Sequence, residues 1–120
     1  MRITEKGTNM QITEEIKNYL YKKLEHLEKF LDPADESVLC EVEIGKISKH
    51  HKNGDVFRTE INLHISGQNF RAVSEKDELF SSIDIAKDEM ARELNSNKDR
   101  KISLTKRGGT KVKNLVKENK

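Results

Sequence analysis

Apolar positions along the chain follow two kinds of spacing. Ile16, Leu20, Leu24, Leu27 and Leu31 recur three or four residues apart, which at about 100° per residue draws one apolar stripe along a helix. Thr13 stands just before the stripe as an N-cap, its hydroxyl able to accept from an unpaired N–H of the first turn, and Glu14 and Glu15 suit the positive end of the helix dipole. Asp32-Pro33-Ala34-Asp35 closes this helix, since proline offers no N–H and turns the preceding residue away from helical geometry. A second stripe, Leu79, Ile83, Ala86, Met90 and Leu94, predicts another amphipathic helix. It starts after capping residues at 74–77 and ends near Asn97.

Between the helices the period is two. Cys40, Val42 and Ile44 alternate with Glu41 and Glu43, while Phe57, Thr59, Ile61, Leu63 and Ile65 alternate with Arg58, Glu60, Asn62 and His64. Each set reads as a half-buried strand. The polar stretch 46–55, with Asn53-Gly54, predicts a reversal between them, and Ser66-Gly67-Gln68-Asn69 a tight turn into Phe70-Arg71-Ala72-Val73. Both turns are short enough to make antiparallel neighbours. A further strand over residues 2–7, ending at Gly7, precedes the first helix. The predicted class is α+β in the order β-α-β-β-β-α: a four-stranded sheet, polar on alternate residues, with two helices packed on one face.

Composition narrows the class without changing it. With 120 residues and 33% apolar content the chain supports a single small core. Apolar stretches of only a few residues, and no hydrophobic signal core at the start, argue against a transmembrane helix or secretory peptide, so the cytoplasm is the expected location. The lone Cys40 can form no internal disulfide and supplies no Cys-rich zinc site.

Charge alters the picture more. The 23 Lys/Arg and 21 Asp/Glu give a net +2, yet residues 98–120 hold nine basic and two acidic side chains, leaving −5 on residues 1–97. An acidic body thus carries a +7 arm, the composition of a polyanion-binding segment or of a solubilising tail. Periodicity lapses after Lys98, and Gly108-Gly109 resists regular structure because paired glycines lose much backbone entropy when fixed. The expected division is an α+β domain over 1–98 and a basic, flexible tail over 99–120, in which Val112, Leu115 and Val116 offer one apolar edge.

Candidate chemistry is sparse. The chain has no phosphate-binding glycine loop, dinucleotide fingerprint or Gly-x-Ser-x-Gly elbow, so an enzyme is not expected, and neither is a cofactor or small-molecule substrate. His50 and His51, adjacent in a loop, tend to point apart and imply no shared metal. Cys40 is expected to face the core, and Glu41, Glu43 and Glu60 to share a solvated sheet face. The positive signal is helical: Lys22, His26 and Lys29 project opposite the leucine stripe with Lys23 on the flank, a spacing suited to a phosphate backbone. Glu25 and Glu28 interleave with them, so an ordinary mixed-charge helix face competes with that reading. Aromatic content of 5% gives little support to a single-strand stacking platform, and recognition by shape and backbone fits better.

Taken together, the chain resembles the ribosome hibernation-promoting factor family, also known as ribosome-associated inhibitor A or sigma-54 modulation proteins. The resemblance runs from Arg2 through Lys117. It rests on Ile12-Thr13 opening the helix, on Lys23-Leu24-Glu25-His26-Leu27-Glu28-Lys29-Phe30 and on Glu60-Ile61-Asn62-Leu63-His64-Ile65. It continues in Ala72-Val73-Ser74-Glu75-Lys76-Asp77-Glu78-Leu79-Phe80-Ser81-Ser82-Ile83-Asp84 and in Arg92-Glu93-Leu94. The resemblance implies a fold similar to a double-stranded-RNA-binding domain. It also implies binding to the small ribosomal subunit and its rRNA in the decoding channel, where mRNA and tRNA binding is blocked and idle ribosomes stay inactive. Matching basic positions are Lys22, Lys23 and Lys29 on the first helix and Arg92 and Lys98 on the second. Three positions usually basic in the family are Glu89, Asn95 and Ser96 here, which thins the helical charge; Lys87 replaces part of it.

The tail can restore attraction, with Arg100, Lys101, Lys106, Arg107, Lys111 and Lys113 tracking phosphates in extended form. The chain is also too short for the extra dimerisation domain of longer family members, so it is expected to be monomeric when free. The competing function is a regulatory protein–protein module acting on a transcription or translation factor through the acidic sheet face and hairpin loop, around Glu41, Glu43, Lys46 and His50. A non-specific RNA chaperone is a third reading.

Overall fold

A computed structural model describes residues 1–47 and 54–112, with side chains through residue 97. The elements are β1 (Arg2–Thr8), α1 (Glu14–Leu24), a 3-10 helix η1 (Glu25–Phe30), β2 (Leu39–Ile47), β3 (Val56–Ile65), β4 (Gln68–Lys76) and α2 (Leu79–Val112). This is the β-α-β-β-β-α order read from the alternation of periods.

The strands form one mixed sheet in the order β1-β2-β3-β4. β1 runs parallel to β2, as a strand joined by a helical crossover must, with Ile3 opposite Cys40 and Glu5 opposite Val42. β2–β3 and β3–β4 are antiparallel. The β3–β4 turn needs only Ser66 and Gly67, both at positive φ (45° and 81°), the conformation that matches the twist of the flanking strands. Asn9, at φ 60°, reverses the chain after β1.

Cys40, Val42, Ile44, Ile61, Leu63 and Ala72 point from the sheet into the core. There they meet Ile16, Leu20, Leu24 and Leu27 from the first helical segment and Ile83, Ala86, Met90 and Leu94 from α2. Cys40 lies in this core as expected, and burial pushes its thiol up to about 12, which leaves it protonated and inert. Thr13 caps α1 as expected, accepting from Ile16 N–H at 3.3 Å. Among the described residues no helix is long and apolar enough to cross a membrane.

Four local features depart from the periodicity. The first helix tightens to 3-10 at Glu25, because Leu24, Leu27 and Phe30 are spaced three apart and line up on a helix of three residues per turn. Leu31 has already left the helix, with φ −113° and ψ 153°. The cap of α2 is Glu78 rather than a residue at 74–77: its carboxylate accepts from the N–H groups of Phe80 and Ser81, which lowers its pKa, while β4 extends through Lys76. Finally, α2 does not end near Asn97 but runs to Val112. Extending a formed helix requires no new nucleus, and Arg100, Lys101, Leu104, Lys106 and Arg107 are good helix formers that outweigh the paired glycines. Extended phosphate tracking therefore does not describe Arg100, Lys101, Lys106, Arg107 or Lys111, whose backbone is helical. Lys113 lies outside the described residues, as do the loop histidines His50 and His51.

Candidate nucleic-acid interface

The change of helix type rearranges the charges on the first helical segment. In η1, residues three apart eclipse one another. His26 and Lys29 therefore form one exposed row, and Glu25 and Glu28 another. The acidic and basic side chains that interleave in sequence are thus sorted into two stripes, with the basic one on the side of Lys23.

Lys23 marks where that side meets α2. Its Nζ lies 3.5 Å from Asp84 Oδ1 and 5.3 Å from the centroid of the Tyr19 ring. Tyr19 Oη donates to the same Asp84 oxygen at 2.7 Å, which pushes the phenol up to about 12. Asp84 thus ties α1 to α2 and neutralises Lys23 there. Lys22 is exposed, lines an open groove with Glu15, Asn18, Tyr19 and Phe80, and has no ion-pair partner among the described residues. Lys29 is likewise unpaired there, its Nζ resting 5.2 Å from the Phe30 ring centroid.

On α2 the candidate cations are more constrained. The Lys87 side chain is only 14% exposed, with Nζ 2.6 Å from Asp88 Oδ1. Arg92 is well exposed, but Nη1 donates to Glu89 Oε1 at 3.0 Å, so one of the substituted positions turns an acid onto the remaining arginine. The side chains of Lys98, Arg100, Lys101, Lys106, Arg107 and Lys111 lie outside the described set. The structure therefore gathers Lys22, Lys23 and Lys29 with His26 on one helical segment, and it shows no contact joining Arg92 to them.

The opposite face of the sheet is internally matched. Glu43 and Glu60 are register partners, as their shared face requires. Glu60 accepts from Arg71 Nε and Asn62 Nδ2, both at 3.0 Å, and pairs with Arg58 at 3.1 Å. These contacts, Arg71 foremost, pull its carboxyl down to about 2. Glu43 accepts from Thr8 Oγ1. His64 bridges Asn69 and Glu41, which raises its pKa. Lys46 pairs with Asp55 at 3.7 Å. Among the described residues, then, Glu41, Glu43, Glu60 and Lys46 already have partners, which leaves them little open charge for a regulatory protein.

Tyr19, Phe80 and Asp84 are the residues at this helix junction that pattern reading passes over. Their signal is positional: Tyr19 adjoins Leu20 and Phe80 precedes Ile83 by three, so both rings flank the apolar stripes instead of lying within them.

A family model described as sigma 54 modulation protein / S30EA ribosomal protein matches residues 3–102, which spans the sheet and both helices. The chain belongs to this family. Similar proteins include a ribosome hibernation promoting factor of Klebsiella oxytoca, 27% identical over 100 residues, covering 83% of this chain and 96% of that protein. A ribosome hibernation promotion factor of Picosynechococcus is 26% identical over 104 residues; this chain spans 50% of its length. Among solved structures, the Thermus thermophilus Protein Y N-terminal domain superposes with a TM-score of 0.65 at 27% identity, covering 78% of this chain and 96% of that one. A ribosomal subunit interface protein of Coxiella burnetii, at 18% identity and a TM-score of 0.66, shares the fold.

Proposed function

We propose that this protein is a ribosome-associated translation inhibitor that binds small-subunit rRNA in the decoding channel, blocks mRNA and tRNA, and keeps idle ribosomes inactive. The observation that carries the reading is the family match across residues 3–102, together with a Klebsiella oxytoca relative named for ribosome hibernation, 96% of whose length this chain covers. Nothing covalent is required of such a protein: occupying a site is enough to inhibit.

The charge geometry supports a division of labour. Lys22 and Lys29, free of acidic partners among the described residues, are the open cations of the first helical segment, with Lys23 beside them. Arg92 contributes from α2 once it exchanges Glu89 for a phosphate. The nine basic residues of 98–120 supply most of the counterion release and hence most of the salt-sensitive affinity. Through Val112 they do so from a helix.

Co-sedimentation with ribosomes across a salt series, with and without mRNA and tRNA, tests this. The expected result is salt-sensitive binding to the small subunit that mRNA and tRNA displace. Removal of residues 99–120 weakens binding and flattens its salt dependence. Ribosome binding indifferent to both competitors would overturn the decoding-channel assignment, and an unchanged salt slope after truncation would overturn the role of the basic segment.

A further inference from the structure

Two of the chain's six aromatic rings meet where α1 passes α2. Tyr19 and Phe80 have centroids 4.7 Å apart and planes at 71°, so together they form an L-shaped apolar corner. With Glu15, Asn18 and Lys22 they line an open groove of about 380 Å³. Both rings are half-buried, packing against the edge of the core on one side and facing the groove on the other. The corner is also fixed in place, because Asp84 holds the Tyr19 hydroxyl at 2.7 Å and Lys23 sits against the same ring.

We propose that this corner receives one unstacked nucleobase of the bound RNA. The base stacks on an aromatic face, its polar edge meets Asn18 and Glu15, and Lys22 neutralises an adjacent phosphate. The inference rests on the ribosome-binding reading and assigns to it a contact that phosphate neutralisation does not provide. A nucleotide offers every feature the groove lacks: a flat π surface for the rings, amino and carbonyl groups for an amide and a carboxylate, and an anion for the unpaired lysine. An apolar protein side chain would fill the ring corner but leave Asn18, Glu15 and Lys22 without complements.

Stacking is neutral and releases no counterions, so its signature differs from that of a lysine. Ribosome co-sedimentation across a salt series is expected to show Phe80→Leu weakened about tenfold at every salt concentration with an unchanged slope. Phe80→Tyr, which keeps the ring, should bind as wild type does, and Lys22→Gln should lower the slope by about one. Ultraviolet irradiation of the wild-type complex should join an rRNA nucleotide to Tyr19 or Phe80. Binding of Phe80→Leu within twofold of wild type overturns the inference. So does an equal loss in Phe80→Tyr, or a photoproduct joined only to ribosomal protein. Wild type that fails to sediment overturns the ribosome reading and this inference with it, whereas wild type that sediments while Phe80→Leu matches it overturns this inference alone. If Phe80→Leu fails to fold, as judged by its thermal melt, the photoproduct on wild type decides.

Discussion

Glu89 and Arg92, one turn apart on α2, are joined by a 3.0 Å bond from Nη1 to Oε1. An exposed pair of this kind adds little to stability, but it occupies the guanidinium that a phosphate would otherwise take. Glu89→Gln is therefore expected to leave the melting temperature within a degree or two. It should tighten ribosome binding several-fold at low salt and steepen the salt slope by up to about one. Measuring affinity at three or more salt concentrations checks this, and curves that superpose on wild type would show that Arg92 does not meet phosphate.

Glu60 gives the outer sheet face a pH dependence. Its carboxyl is held down at about 2, mainly by Arg71 and Asn62, against an ordinary value near 4.5. The lowered pKa means that its contribution is fully present above the ordinary value and is lost as pH falls through the folded one. Glu60→Gln should cost about 1–2 kcal/mol at pH 7, discounted because Arg71 is well exposed. The difference from wild type should shrink as pH falls below about 4.5 and vanish below about 2. Urea melts at several pH values measure it; a cost that does not change with pH would contradict the ionic account.

Two buried hydroxyls should behave oppositely. Ser74 Oγ is buried with no hydrogen-bond partner among the described residues, while Thr59 Oγ1 and Ser82 Oγ bond each other at 2.7 Å. Removing the unpartnered group relieves a desolvation penalty, so Ser74→Ala should be neutral or stabilising. Ser82→Ala leaves Thr59 unpaired and should cost about 1–3 kcal/mol. Chemical denaturation of the two variants side by side gives the comparison.

Gly7 owes its identity to a close approach rather than to a left-handed φ. A Cβ there would collide with the Met10 carbonyl oxygen, which is backbone and cannot rotate away. Gly7→Ala should therefore destabilise the chain by about 1–3 kcal/mol. By contrast a Cβ on Gly45 would meet Thr8 Cβ and the Thr8 carbonyl oxygen each at 3.3 Å, which asks for a shift of only a few tenths of an ångström, so alanine should be tolerated better there.

Burial faces were legible because they repeat. Ile16, Leu20, Leu24 and Leu27 on one helix, and Cys40, Val42 and Ile44 on one strand, announce their common direction at spacings a local window detects. The 3-10 segment was not legible, since Leu24 and Leu27 fit either helix type and six residues are too few to separate 3.0 from 3.6 per turn. Glu78 escaped notice because glutamate is not among the favoured capping residues. The junction of Tyr19, Lys23 and Asp84 joins residues some 60 positions apart, and only the packing of α1 against α2 creates it. That junction is why the basic face, read as Lys22, His26 and Lys29 with Lys23 on the flank, separates into a tethered Lys23 and open Lys22 and Lys29.

The length of α2 has a kinetic consequence. Its 34 residues make a rod of about 50 Å, and among the described side chains those from Ile83 to Asn97 hold it to the sheet. Lys98, Arg100, Lys101, Lys106, Arg107 and Lys111 all fall on the C-terminal half of this helix while residues 1–97 carry a net −5, so positive and negative charge are separated along the chain. In the field of a polyanion such a body rotates before it touches, presenting the far end of α2 first. The orientation search that slows most macromolecular encounters is thereby shortened, and raising the ionic strength removes the advantage by slowing capture.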